Sequence, residues 1–485
     1  MVFSSQFFLF YFLPLALLLY AIAPRCARNA ILTVLSYLFY GWANPAFAIL
    51  MFASTIIDFI CGLIITGQSI HHWKQPVTIL PLGQPRSRRQ RTALIISIAT
   101  NLALLGFFKY FNFATDSFDA AVAALGLPGL SLDLAFRITL PLGISFYTFQ
   151  SMSYSIDVYR GHAKGIRNFI DFACYVSMFP QLVAGPIIRF QEIANQLTNR
   201  SHNIEKFARG VSFICLGLAK KVLLANSCGK VADMVFNASG TTILDAWFGA
   251  TSYAFQIYFD FSGYSDMAIG LGLILGFTFP KNFNSPYCAD SITDFWRRWH
   301  ISLSTWLRDY LYLPLGGNRK SPSRTYLNLM LVMLLGGLWH GASWNFVVWG
   351  AIHGGLLAIE RLNHKDSYYR QLPRWTRVTI TFTLVTVSWI FFRAENLPAA
   401  FNMCKSLVGL STAHTSSQLI SGLIYQPYYI IFTAISAAIV WLAPQSWDFT
   451  QKLTAPKALA IITLFILSTL ALATQSFNPF IYFIF

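Results

Sequence analysis

LLGGLWHGASWNFVVWGAIHGG, running from Leu334 to Gly355, is a long apolar stretch with His340 in its middle. On a helix a side chain leans back over the residues three and four positions earlier. For His340 those are Gly337 and Gly336, and Gly341 follows directly, so the spacing predicts open space around the ring. An imidazole at bilayer depth is costly unless it meets a partner or lines a wet cavity, which makes an ionisable group there a functional candidate. The competing reading, a histidine hydrogen-bonded to a neighbouring helix, balances it evenly on position alone. His353 comes thirteen residues later, and about 100° per residue turns it to a largely different face if the helix is continuous. A structural role is expected for it.

Composition supports bilayer depth. Of 485 residues 55% are hydrophobic, 16% aromatic and only 11% charged, with a mean hydropathy of +0.52, whereas soluble proteins carry about 25% charged residues. Several runs approach the ~20 apolar residues that cross a bilayer as a helix, and lipid-facing backbone must satisfy its own hydrogen bonds in helices or a closed barrel. Long continuous runs, without ten-residue alternation, select helices. The chain therefore reads as an all-α polytopic membrane protein. Its net charge of +16 sits in short loops between spans, where the positive-inside rule places it, so no nucleic-acid partner is expected. Seven scattered cysteines without a Cys-x-x-Cys or a histidine pairing predict neither a disulfide framework nor a metal site.

MVFSSQFFLFYFLPLALLLY lacks the positive n-region and cleavage site of a signal peptide. It reads as a retained first span with the N-terminus outside. Spans are expected near Phe7 to Ile22, Ala30 to Ala43, Ala46 to Thr66, Ala93 to Ala114 and Ile138 to Asp157. Gly67 to Thr92 holds Lys74, Arg86, Arg88, Arg89 and Arg91 without an acid, which marks it cytoplasmic. Arg25 and Arg28 fall on the same side by alternation. From Asn168 to Phe279 the apolar runs are broken by Pro180, Pro186, Arg189, Lys220-Lys221 and the polar cluster Asp260 to Asp266. Short, tilted or re-entrant helices around a central cavity account for that, ordinary loops being the alternative. GLGLILG, Gly270 to Gly276, follows no strand and reads as close helix packing.

Asp290 to Gly317, DSITDFWRRWHISLSTWLRDYLYLPLGG, has a helix start at Ser291 and Asp294 and a stop at Pro314, Gly316 and Gly317. Trp296, Trp299, Leu303, Leu307 and Tyr310 recur at helical spacing, with Arg298, Ser302, Thr305 and Asp309 as a second stripe. This amphipathic helix lies at the interface or folds into the interior, and His300 falls beside its apolar stripe, where an interfacial role is the commoner one. Further spans are expected at Val378 to Phe392, Tyr428 to Leu442 and Leu459 to Ala473, and FNPFIYFIF closes the chain as an interface belt. Residues 1–485 read as one domain.

His300 and His340, forty positions apart, form a general base if the first folds back into the bundle, since an imidazole titrates near neutrality and can take a proton from an attacking hydroxyl or thiol. No G-x-S-x-G, P-loop, H-E-x-x-H or paired-carboxylate pattern competes. Arg297, Arg298, Arg308, Arg319 and Lys320 suit a phosphorylated donor or an acidic carrier, and suit a plain positive-inside flank equally.

With these motifs in view the chain resembles the membrane-bound O-acyltransferases, in particular their bacterial alginate O-acetylation branch. The resemblance is carried by MVFSSQFFLFYFLP, by PLGISFYTFQSMSYSIDVYRG (Pro141 to Gly161), FPQLVAGPIIRF (Phe179 to Phe190) and YFDFSGYSDMAIG (Tyr258 to Gly270), by DFWRRWHISLSTWLRDYLYLPLGGNR (Asp294 to Arg319) and GGLWHGASWNFVVWG (Gly336 to Gly350), and by the closing PFIYFIF. It implies a multi-helix enzyme of the bacterial inner membrane. Such an enzyme takes an acyl group from a cytoplasmic donor, acetyl-CoA or an acyl carrier, with no bound cofactor, and passes it across for O-acetylation of an exported polysaccharide. Alginate is the implied acceptor, with cellulose and peptidoglycan as alternatives and D-alanine export as a related branch. The resemblance makes His340 the principal catalytic residue and His300 the second. Trp296, Arg297 and Arg298 become candidates for the donor path, and Asp260, Tyr264 and Asp266 weaker ones near the cavity. It also implies periplasmic partner proteins that finish the transfer. A proton-coupled transporter or flippase, and a non-catalytic scaffold, are the rivals from other classes.

Overall fold

The computed structural model describes residues 2–42, 44–68, 79–238, 240–363, 367–411, 415–475 and 477–481. Lys74 of the basic loop and Tyr482 to Phe485 of the closing block lie outside them. All regular structure in the described residues is helical. Among the described residues, five helices are long and apolar enough to cross a membrane, Pro45–Thr66, Arg88–Ala124, Ile204–Phe236, Arg374–Arg393 and Ala455–Thr474, and Phe8–Ile22 and Pro427–Leu442 are shorter apolar helices. The chain forms two compact units, Met1–Lys206 with Gly272–Phe279, and Phe207–Leu271 with Pro280–Phe485.

In the first unit the opening aromatic block folds inward. Phe8 and Phe12 pack against Phe39 and Phe179 at ring separations of 5.5 to 6.4 Å. Asp58, fully buried, accepts from Ser97 at 2.6 Å and from Asn101 at 2.9 Å, neutral donors that satisfy its lone pairs without water. The expected span at Ile138 to Asp157 is corrected: the helix is Ile144–Arg160, 17 residues long and buried over most of its length. Gly143 starts it at φ +76°, where a Cβ would press on the Leu182 carbonyl at 2.6 Å. The short helices expected after Asn168 are present as Phe169–Ser177, Phe179–Leu182 and Phe190–Thr198.

The second unit departs from that pattern. Ile204–Phe236, with a π-helical turn at Lys220–Ala225, and Ile243–Ile274 are long helices, and neither the lysine pair nor the Asp260 to Asp266 cluster interrupts them. The reason is reciprocal neutralisation. Lys221 Nζ lies 2.8 Å from Asp260 and Lys220 Nζ 2.7 Å from Asp266. The two backbones meet at glycines: a Cβ on Gly263 would lie 2.7 Å from the Gly217 carbonyl, and one on Gly270 2.5 Å from that of Gly210, the close small-residue approach that apolar helices use. The same pair ties down residues 477–481. Lys221 donates to the Pro479 carbonyl, Ile481 N donates to Asp260 at 2.8 Å, and Phe480 stacks on Tyr264 at 4.5 Å.

Removing one partner of a buried pair leaves an uncompensated charge and costs about 3–5 kcal/mol. Lys221→Met is therefore expected to lower the thermal unfolding midpoint in detergent sharply, and the neutral double variant Lys221→Met with Asp260→Asn to recover much of the loss. A single variant as stable as the parent would contradict the pairing.

Candidate active site

The Leu334 to Gly355 run is two helices, Pro322–His340 and Trp344–Leu362, so His340 ends a helix where the sequence suggested a mid-helix position. Apolar composition continues across the break, which is why hydropathy does not show it. Gly337 and Gly341 serve the hairpin, whereas Gly336 lines a chamber, where a Cβ would meet only Leu307 at 3.5 Å. A Cβ on Gly337 would overlap the Phe346 carbonyl, one on Gly341 would overlap the Phe346 ring, and one on Gly350 would lie 2.5 Å from the Met333 carbonyl. This contact delivers the His340 ring, 7% exposed, between Trp339, Phe392 and Trp349 at 5.0, 5.2 and 5.4 Å.

His340 and Trp349 stand in the wall of a cavity of about 460 Å³. Leu303, Leu307, Val332, Met333 and Leu357 give it apolar walls, and Arg297, Arg308 and Arg361 supply cations. An apolar chamber with a few convergent polar groups is the usual form of a ligand site. Thr293 and Arg297 also line a second cavity of about 350 Å³, polar in character, with Arg298, Arg370, Arg374 and Arg377 around Asp290 and Asp294. Each aspartate takes one arginine, Asp290 with Arg377 at 2.9 Å and Asp294 with Arg298 at 2.8 Å, leaving an excess of positive charge.

The Asp290 to Gly317 stretch is also broken. Ser291 caps Ile292–Arg298, accepting from Asp294 N at 3.1 Å, and Glu360 accepts from Ile292 N, Thr293 N and Thr293 Oγ1 at 2.6 to 2.8 Å. A new helix, Ile301–Leu307, begins after His300, whose backbone is left-handed at φ 43°. That conformation costs a non-glycine residue roughly 1–2 kcal/mol and persists only where the surroundings impose it. Asn282 imposes it here. Its main-chain carbonyl accepts from Ile301 N at 2.9 Å, and its side-chain oxygen lies 3.2 Å from His300 Nδ1 and accepts from Ser302 Oγ at 2.9 Å.

His300 is fully buried, 4.6 Å from the Phe261 ring and 6.4 Å from the His340 ring. It does not line the cavity. The two histidines are thus brought together, but with only one of them on the cavity wall. His300 lies outside the candidate spans, and burial holds its imidazole at about 3, well below the ordinary 6.5. His353 has both nitrogens engaged, Nδ1 accepting from Trp296 Nε1 at 3.2 Å and Nε2 facing Ser388 Oγ at 3.0 Å. Because an indole N–H only donates, His353 carries its proton on Nε2, a saturated structural group. Trp296 and Arg297 line the main cavity, whereas Arg298 lines the polar one alone. Asp260, Tyr264 and Asp266 line neither, being held by Lys221, Phe480 and Lys220. Asn282, Glu360 and the Arg370 to Arg377 group escape sequence inspection. Asn282 has no pattern of its own, and the arginines fit a positive flank.

Residues 160–393 match MBOAT, the membrane-bound O-acyltransferase family. The chain is 43% identical to a probable alginate O-acetylase of Azotobacter vinelandii, with all of both chains covered. It is 47% identical to the corresponding Pseudomonas aeruginosa protein over 85% of this chain and 76% of that one. The peptidoglycan O-acetyltransferase of Helicobacter pylori is 36% identical over 86% of this chain and 82% of its own.

A histidine whose value is lower folded than unfolded opposes folding once the unfolded chain binds a proton that the folded one refuses. The His300 contribution is intact above about 6.5 and is lost progressively as pH falls from there toward 3. The non-titrating variant His300→Gln is expected to lose less stability than the parent between pH 7 and pH 4.5. Equal losses in thermal melts would mean that His300 is accessible to protons.

Proposed function

The chain belongs to the membrane-bound O-acyltransferase family, and from that premise we propose that it moves an acetyl group from a cytoplasmic thioester across the bacterial inner membrane for O-acetylation of exported alginate. The observation that carries the proposal is His340 in the wall of an apolar chamber that also includes Arg297, Arg308 and Arg361. His340 takes the proton of an acceptor hydroxyl as its oxygen attacks the acyl carbon; the C–S bond then breaks, and the departing thiolate regains a proton. His300, behind that wall, orients or tunes its partner. An imidazole can both take and return a proton in such an exchange, and the low-dielectric aromatic surround strengthens each polar contact made in it.

The donor is acetyl-CoA or an acetylated carrier. In either, phosphate oxygens meet the guanidinium groups of the polar cavity, which favour bidentate phosphate contacts, while the acyl arm passes Thr293, Arg297 and Trp296 toward His340. The positive-inside rule favours a cytoplasmic position for this arginine-rich side. Alginate is favoured as acceptor by relatives of that name covering both chains in full. Peptidoglycan is the second reading, favoured by the Helicobacter pylori relative. A periplasmic partner receives the acetyl group at the outer end.

The experiment is transfer of labelled acetyl from acetyl-CoA inside proteoliposomes to a mannuronate oligosaccharide outside. His340→Ala is expected to fold and insert while losing about 100-fold to 10,000-fold in rate, the usual worth of a positioned base. Full activity in that variant would remove His340 from the mechanism. Separately, Arg374→Gln and Arg297→Gln are each expected to raise KM for acetyl-CoA roughly tenfold with kcat little changed, the effect of one charge-assisted bond. An unaltered KM in both would place the donor elsewhere.

A further inference from the structure

The side chain that fixes His300 lies eighteen positions upstream, outside any helix. Asn282 is 1% exposed, and its Oδ1 is the meeting point of three groups: Ser302 N at 3.3 Å, Ser302 Oγ at 2.9 Å and His300 Nδ1 at 3.2 Å. A main-chain N–H can only donate. The amide must therefore turn its oxygen, not its nitrogen, toward this cluster. That oxygen has no hydrogen to give, so the hydrogen in the contact with His300 belongs to Nδ1. A neutral imidazole has one N–H, which leaves Nε2 as the lone-pair nitrogen. Nε2 is buried and takes no hydrogen bond from any described residue. Buried polar atoms in folded proteins are usually paired, and the His300 ring that carries this open nitrogen lies 6.4 Å, centre to centre, from that of His340.

We propose that Asn282 is a positioning residue for acyl transfer: it fixes His300 as the Nδ1–H tautomer in a left-handed turn and holds the Nε2 lone pair open beside His340. The same residue performs both tasks, since its main-chain carbonyl starts the following helix at Ile301 while its amide selects the tautomer. Ser302 is the third member. Its hydroxyl, 3.4 Å from Nδ1, donates to the same amide oxygen at 2.9 Å and so cannot supply a hydrogen to Nδ1 in its place. The catalytic consequence rests on the acyl-transfer reading above, whereas the tautomer does not.

The test uses full-length protein labelled with ¹⁵N-histidine in lipid nanodiscs at pH 7, the His300 signals being identified by their loss in His300→Gln. The expected spectrum shows a protonated Nδ1 and an unprotonated Nε2. A protonated Nε2 in the parent would overturn the proposal without recourse to any Asn282 variant. Asn282→Ala is expected to mix the tautomers and to lower kcat for acetyl transfer by roughly 10-fold to 100-fold, the usual cost of a lost outer-shell partner, with KM unchanged. Asn282→Asp, which keeps an acceptor in place, is expected to restore both the spectrum and turnover. An unmixed spectrum in Asn282→Ala would reduce Asn282 to packing. If the parent transfers no acetyl group at all, the functional reading fails while the spectrum still decides the tautomer.

Discussion

Two backbones touch where Gly337 meets Phe346 and Gly350 meets Met333, and the geometry of the site follows from that touch. Any side chain at Gly337 would have to occupy the space of a carbonyl, so the Pro322–His340 and Trp344–Leu362 helices are held at a distance only glycine allows. The short separation fixes where the first helix stops. Gly341 is extended, its amide still bonded to the Gly337 carbonyl at 3.2 Å, and Phe346 covers it. His340 is thereby presented at a helix end, with Trp339, Trp349 and Phe392 packed around its ring. A ring so crowded has few orientations left. The position of the imidazole relative to the chamber is consequently a property of backbone packing, and longer-range contacts only refine it.

Charge is handled by a different rule. The chain has few ionisable groups, and several of the buried and half-buried ones meet their partners across large sequence distances: Lys221 with Asp260, Lys220 with Asp266, and Glu360 with the first amides after Ser291. Such pairs add little net stability against apolar replacements, because desolvation consumes most of the attraction. Their value lies in register. Asp260 is adjacent to Phe261, whose ring meets His300 edge-on at 4.6 Å, and Glu360 anchors the start of the short helix that ends just before His300. Electrostatic ties therefore set the placement of the buried histidine from two directions, while glycine packing sets that of the other.

The division between these two rules explains what the amino-acid order reveals. Hydropathy finds most of the apolar spans, because length and composition are local properties. It fails at Lys220-Lys221 and at Asp260 to Asp266, where helices continue because each charge is cancelled by a residue about forty positions away. It fails again at Gly341, where both sides of a tight turn are equally apolar. Ser291 is legible as a cap, since its partner is three residues distant; the break at His300 is not, since Asn282 imposes it from a loop. His300 and His340 are recognisable through their motif context, and their 6.4 Å separation is a product of the fold. The arginines from 370 to 377 reach the polar cavity only through folding, being a positive flank until Asp290 and Asp294 are placed among them.

Three imidazoles lie within this one aromatic cluster, and their bonding separates them. His353 accepts from an indole and donates to a serine whose own hydroxyl is spent on the Val385 carbonyl at 2.7 Å. It has neither a lone pair nor a hydrogen to offer, and its effect is to hold Trp296 in the chamber wall. His300 is pinned through one nitrogen, with the opposite tautomer, and keeps a lone pair. His340 faces the chamber directly. A cluster in which every histidine were saturated would be a well-packed core and nothing more; one in which none were saturated would pack loosely and misplace its rings. Here one histidine is given over to structure, and its indole partner keeps the wall rigid, so that His340 is presented to the chamber and His300 is held behind it at fixed positions, the fixed geometry that proton transfer within a closed site would demand.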